Sequence, residues 1–252
     1  MTPRQWTGWT GLGSSAVVEP APPATFAPST AGVRPLRVPP LTGQPRAVIA
    51  QLVRDVTLLF LIDRSGSTFG PWGDPTDVTG AAAEGVIDLQ RASGGGRAGV
   101  VLWGSDAPRN LAVGPLDVVK DSRELRAALR NTTSLGGTNI AAGIARGKQL
   151  ADAAPSGHTV ITVVLTDGIE IVDDRVRAAV SSLPPHSMHI CLVDRANGCT
   201  PDMEAAWRSL PLGSFTRLQS FDLADITTQI VTIFATSLGL TAPTITSPRK
   251  KD

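Results

Sequence analysis

Three short stretches of this chain carry oxygen-bearing side chains at spacings that suit a hard cation: Asp63-Arg64-Ser65-Gly66-Ser67, Gly136-Gly137-Thr138 and Thr166-Asp167-Gly168. Together Asp63, Ser65, Ser67, Thr138 and Asp167 offer two carboxylates and three hydroxyls. A small divalent cation such as Mg²⁺ prefers oxygen ligands in an octahedron about 2.0–2.1 Å in radius. On a tight turn, short side chains at alternate positions can face one point, which suits 63, 65 and 67. Asp63 brings charge and the two serines bring neutral oxygens. Thr138 arrives from a second loop and Asp167 from a third, to bind directly or through water. So few carboxylates leave a dication with residual positive charge and an open position, and a carboxylate from outside satisfies both. Mg²⁺ or Mn²⁺ is expected over Ca²⁺, which takes roughly six to eight oxygens in a roomier site.

Such a site needs loops that hang from a common scaffold. The run 56–62 is continuously apolar and rich in β-branched residues, the signature of a strand buried on both faces. Residues 79–92 follow at helical spacing, and Gly94, Gly95 and Gly96 stop that helix. Further strands are predicted at 97–103, 109–113, 159–165, 187–193 and 215–218. Helices are predicted at 122–130, 139–153, 173–182, 202–210 and 224–238. Thr200 is placed to cap the helix that opens with Pro201, and Gly239 to end the last one. Strands alternating with helices imply an α/β fold with a mainly parallel sheet and helices on both faces. The strands at 97–103 and 109–113 have only a turn between them, which predicts a hairpin and one antiparallel edge strand. Open sheets of this kind bind ligands beyond the carboxyl ends of their strands, where all three polar clusters fall.

The Asp-x-Ser-x-Ser turn, the Gly-Gly-Thr loop and the Thr-Asp-Gly turn, in this order and at these spacings, resemble the von Willebrand factor A domain. The segment Val100-Val101-Leu102-Trp103-Gly104-Ser105-Asp106-Ala107 resembles that family's second strand and the turn after it. The resemblance runs from about 56 to 238. It implies a doubly wound, six-stranded sheet in the order 3-2-1-4-5-6. It also implies a metal-ion-dependent adhesion site with Asp63, Ser65, Ser67, Thr138 and Asp167 as ligands and Mg²⁺ as the ion. The missing ligand would be an Asp or Glu of a partner protein. The expected role is a non-enzymatic binding module in a bacterial assembly, of the ATPase-linked, stress or defence kind. One departure stands out. Residues 68–78, including Phe69, Gly70, Pro71, Trp72, Gly73, Asp74 and Pro75, intervene before the helix that follows the first motif in many relatives. This insertion lies at the rim, where Trp72, Asp74, Arg64 and Asn139 are the candidate partner contacts. Asp74 is also placed to fold back as a built-in ligand and occlude the site.

The rest of the chain bounds these readings. With 252 residues and 42% hydrophobic content there is material for one sizeable core. Residues 1–50 are rich in Pro, Ala and Thr and read as a disordered or extended leader, with 33–41 placed to lie over the domain; 51–240 read as the domain and 241–252 as a tail. The leader repeats Trp6-Thr7-Gly8 as Trp9-Thr10-Gly11. A second reading therefore makes the metal site structural or self-occupied and recruits partners through these tryptophans. A net charge of +1 argues against an electrostatic nucleic-acid binder. No apolar run is long enough to span a bilayer, and the first residues lack a secretory pattern. Cys191 and Cys199 read as free thiols of a reducing compartment, so a cytoplasmic protein, monomeric when isolated, is expected. A Mg²⁺-dependent phosphotransferase with its Asp after the first strand needs a second carboxylate two residues on, where this chain has Ser65. A serine hydrolase needs Gly-x-Ser-x-Gly at a strand-to-helix turn, which is missing, and His158, His186 and His189 fall away from the carboxyl ends. The run Ser93-Gly94-Gly95-Gly96-Arg97 follows a helix and lacks Gly-Lys-Ser/Thr, so it is no phosphate loop.

Overall fold

The computed structural model describes residues 33–68, 77–194 and 198–245. The expectations for Trp6 and Trp9, for Trp72 and Asp74, and for the end of the tail lie outside these residues. The chain runs through α1 (Arg46–Arg54), β1 (Val56–Asp63), α2 (Val78–Ser93), β2 (Arg97–Trp103), a 3₁₀ turn (Arg109–Leu111), β3 (Ala112–Asp117), α3 (Ser122–Leu129) and α4 (Ile140–Asp152). It continues with β4 (Thr159–Thr166), α5 (Asp174–Ser181), β5 (Met188–Val193), α6 (Pro201–Arg208), β6 (Ser214–Leu218) and α7 (Leu223–Ser237). The six strands form one sheet in the order β3-β2-β1-β4-β5-β6. All neighbours are parallel except β3, which runs antiparallel to β2 at the edge. This is the expected doubly wound α/β sheet, and its order reverses between β1 and β4.

Side chains along a strand alternate between faces, and β1 shows what that produces here. Leu58, Phe60 and Ile62 join one core with Val86 and Ile87 of α2 and Ile230 and Phe234 of α7. Leu59 and Leu61 join a second core with Ile140 and Ile144 of α4 and Val176 of α5. Every residue of β1 is buried, because both faces are covered. A continuous apolar run is the sequence image of that arrangement.

Two expectations need correction. The disordered or extended leader is expected to run to residue 50, but the chain is helical from Arg46; the expected lie of 33–41 over the domain is seen. Ile49 and Val53 are buried, one turn apart on α1. Val33, Val38 and Leu41 lie against the first core, and Thr42 bridges Thr241. This strap crosses α2 where the helix has no side chain: a Cβ on Gly85 would stand 3.1 Å from the Leu36 carbonyl oxygen. The proline count of the segment masks a short amphipathic pattern. The third strand was placed at 109–113, but 109–111 is a 3₁₀ turn and the strand runs from Ala112 to Asp117. Gly114-Pro115 lies inside this strand. An edge strand tolerates it because Pro lacks only an N–H the sheet does not require there, and the pairing shifts register between Ala98 and Val100.

Candidate metal centre

Asp63 is the last residue of β1 and is fully buried. Its Oδ1 accepts from the Ser65 backbone N–H at 2.7 Å, which closes the turn onto the strand end. Its Oδ2 accepts from the Thr166 hydroxyl at 2.6 Å. Thr166 ends β4, which pairs with β1 across the reversal in strand order, so the pair is a direct product of the topology. Burial pushes the Asp63 carboxyl up to about 6, against the hydrogen bonds from Thr166 and Ser65 that lower it, with the Asp167 charge adding to the rise. A cation among these oxygens favours the ionised form.

The turn after Asp63 carries a chain of hydroxyls. Ser65 Oγ lies 3.2 Å from Ser67 Oγ and 3.1 Å from Thr68 Oγ1. Ser67 donates to Asp167 Oδ1 at 3.1 Å, and Thr68 donates to the same oxygen at 2.5 Å. Asp63, Ser65 and Thr68 are buried, Asp167 is half-buried and Ser67 is exposed, so the oxygens grade from a closed floor to an open rim. Thr68 lies outside the three motifs. Its spacing of three from Ser65 within a turn is the one signal that could have found it.

The second loop is laced to the first through its backbone. Gly66 N–H donates to Gly136 O at 2.7 Å and Leu135 N–H to Arg64 O at 2.8 Å, while Arg64 N–H reaches Trp103 O on β2 at 2.7 Å. Ser105, just past β2, donates both its N–H and its hydroxyl to Leu135 O, at 3.0 and 2.7 Å. Thr138 sits half-buried on this stapled loop, two residues past Gly136 and at the opening of α4. Asn139 caps α4 by accepting from Ala142 N–H at 3.1 Å, and its Nδ2 donates to Ser105 O at 3.4 Å. The structure thus gathers Asp63, Ser65, Ser67 and Asp167 into one oxygen cluster and puts Thr138 on the loop tied against it. No three His, Cys, Asp or Glu side chains converge among the described residues. The donors here are two carboxylates with hydroxyls, an all-oxygen set that fits a small hard cation.

Arg64 is not a rim residue. It is fully buried, with Nη1 paired to Asp77 Oδ1 at 2.8 Å and Nη2 donating to Leu129 O at 3.1 Å. The alternation that turns 63, 65 and 67 towards one point turns 64 the other way, under α2. The third loop does present a large apolar group. Ile171 is 77% exposed, while Ile169 and Val172 beside it pack on the second core and the Trp207 indole N–H holds Glu170 O at 2.9 Å.

His158, His186 and His189 all line a cavity of about 390 Å³ with Pro184 and Pro185, where β4 and β5 begin. That is the opposite edge of the sheet from the oxygen cluster, as the sequence reading had it. Cys191 and Cys199 are free and buried, and burial pushes the Cys191 thiol up to about 12. No helix among the described residues is long and apolar enough to cross a membrane.

Solved structures share this architecture. The pilus adhesin SpaC from Lactobacillus rhamnosus GG superposes with a TM-score of 0.56 at 16% identity, over 72% of this chain and 31% of that one. A von Willebrand factor type A protein from Catenulispora acidiphila gives 0.53 at 19% identity, over 71% and 43%. The PilB minor pilin from Streptococcus sanguinis gives 0.55 at 12% identity, over 69% and 61%. This chain spans less than two thirds of each, and at such identities the likeness is one of fold. No curated protein matches the sequence. Residues 58–170, which hold all three oxygen-bearing loops, match the von Willebrand factor type A domain family, and the six-stranded sheet around them has that family's fold.

Proposed function

We propose that this protein is a divalent-cation-dependent protein-binding module, without catalytic activity, that captures a partner's Asp or Glu carboxylate. Asp63, Ser65, Ser67, Thr138 and Asp167 would hold the cation, Mg²⁺ by preference. The observation that carries the reading is the bond network across the sheet reversal. Thr166 donates to Asp63, and Ser67 and Thr68 donate to Asp167, so oxygens from two separate loops already sit at hydrogen-bonding distance. When bound, the cation supplies a Lewis-acidic centre for an external carboxylate. The chain's own part is to set the oxygens in place, keep Asp63 out of water and leave the Ser67 side of the cluster open. Ile171, on the loop that carries Asp167, offers a partner an apolar contact next to the charged one. The match to the von Willebrand factor type A family and the adhesin among the structural neighbours support a role in protein interaction.

The test is thermal and calorimetric. Ligand binding to the folded state stabilises by RT ln(1 + [L]/Kd), about 2.7 kcal/mol at a hundredfold excess over Kd. Mg²⁺ is therefore expected to raise the unfolding midpoint of the wild type, EDTA to reverse the rise, and Asp63→Asn and Thr138→Ala to abolish it. Equal responses in wild type and both variants refute the proposal.

A further inference from the structure

We infer that Thr68 is a positioning residue that sets the direction of the hydroxyl protons around the cation site; the inference rests on the cation-binding reading above. Thr68 is fully buried, so its hydroxyl must find partners within the protein. It has two: Asp167 Oδ1 at 2.5 Å and Ser65 Oγ at 3.1 Å. A carboxylate only accepts, so Thr68 gives its single proton to Asp167. Ser67 gives its proton to the same oxygen. Neither hydroxyl then has a proton left for Ser65, so Ser65 is the donor in its own contacts. The acceptors around it are Thr68 Oγ1 at 3.1 Å, Ser67 Oγ at 3.2 Å and the Asp63 carboxylate, which a Ser65 side-chain hydrogen bond also helps to ionise; of the two hydroxyls, Thr68 Oγ1 is the nearer and the buried one.

With its own proton on Asp167, Thr68 turns lone pairs towards Ser65, and two oxygens 3.1 Å apart need a proton between them, so the order of donation is Ser65 to Thr68 to Asp167. It has two consequences. The Ser65 proton points at Thr68, which turns the Ser65 lone pairs away from Thr68 and makes them available to a cation. Asp167 receives two hydroxyls on Oδ1, which fixes its plane and leaves Oδ2 as the freer oxygen. Neither effect needs Thr68 to touch the cation. Partners that orient metal ligands in this way typically contribute about 10–100-fold in metal affinity.

Thr68→Val keeps the shape and removes the hydroxyl. Thr68→Ser keeps the hydroxyl and removes the methyl. The probe is Mg²⁺ alone, titrated calorimetrically into the full chain, with the urea midpoint of each metal-free protein measured in parallel. Thr68→Val is expected to weaken Mg²⁺ binding about tenfold or more, and Thr68→Ser to restore most of it. That restoration must hold whichever variant has the higher metal-free midpoint, because a merely structural residue would make affinity follow stability. Wild-type affinity in Thr68→Val overturns the inference and leaves the cation-binding reading intact. So does a Thr68→Ser protein as weak as Thr68→Val. A wild type that binds no Mg²⁺ overturns the underlying reading itself, so the two failures are distinct.

Discussion

Removing the Asp77 carboxylate separates the cost of a buried charge from the cost of a helix cap. Among the described residues Asp77 has two tasks. Its Oδ1 pairs with Arg64 Nη1 at 2.8 Å, and the same oxygen accepts from Gly80 N–H at 3.1 Å to cap α2. The pair is poorly hydrated, since the Arg64 side chain has no exposure and that of Asp77 is 16% exposed. The packing is also tight: a Cβ on Gly80 would lie 2.6 Å from Asp77 Oδ2 and 2.7 Å from Leu129 O. Opposite charges about 4 Å apart at an effective dielectric near 20 attract by about 4 kcal/mol. Breaking a buried pair by removing one partner costs about 3–5 kcal/mol, and losing a cap about 1 kcal/mol. One side chain carries both effects, so they overlap, and Asp77→Ala is expected to lower stability by about 4 kcal/mol. Asp77→Asn keeps an acceptor for Gly80 and suits the left-handed backbone found there, φ +55°. It loses only the charge and should cost about 2 kcal/mol. Arg64→Met combined with Asp77→Ala removes both charges and should recover most of the loss, because apolar replacement of a buried pair is often neutral or better. The assay is urea unfolding at pH 7, with Mg²⁺ and with EDTA. If Asp77→Ala stays within about 1 kcal/mol of wild type, Arg64 does not depend on this partner. Arg64 also lies between Asp63 and Ser65, and its backbone bonds both β2 and the second loop, so its loss of position reaches the proposed cation site.

Two further outcomes follow from packing and burial. Removing 1–45 should lower stability by about 3 kcal/mol or more relative to removing 1–32, since only the longer deletion uncovers the cores above Leu41, Val38 and Val33; equal urea midpoints for the two truncated proteins would show that the strap adds nothing. His189 is buried, and burial lowers its imidazole to about 4 from an ordinary value near 6.5. The folded state therefore favours the neutral ring, and this contribution is complete above about pH 6.5 and is lost as pH falls towards 4. The loss reaches about 3 kcal/mol at most. An NMR titration of the His189 ring that turns over near 6.5 in the folded protein would remove the basis for this acid sensitivity.

The parts of the fold that were legible in the sequence are those where one local pattern has one structural cause. The runs at 56–62 and 159–165 are apolar throughout because helices cover both faces of the sheet, and the glycines at 94–96 end α2 because little else can follow a helix there. The strand order came from the resemblance carried by three loops; periodicity alone holds no information about which strands are neighbours. The misreadings share a physical origin in pairings made far along the chain. α1 was hidden because its buried pair, Ile49 and Val53, follows a proline-rich stretch whose composition argues for disorder, and what orders that stretch is the smooth face of α2 at Gly85. Arg64 reads as a rim residue because a charged side chain in such a turn suggests solvent, whereas Asp77, near the end of the insertion, and the Leu129 carbonyl hold it inward. Thr68 was invisible because its role depends on Asp167, 99 residues away. The five candidate positions could be named from spacing, since a motif records which side chains face one point. What holds those side chains is a second set of contacts, Thr166 on Asp63 and Thr68 on Asp167, and of these two residues only Thr166 belongs to a motif. On the proposed reading, the tightness of cation binding depends on such supporting contacts as well as on the motif residues, which is why the Thr68 variants probe the site more sharply than removal of a proposed ligand.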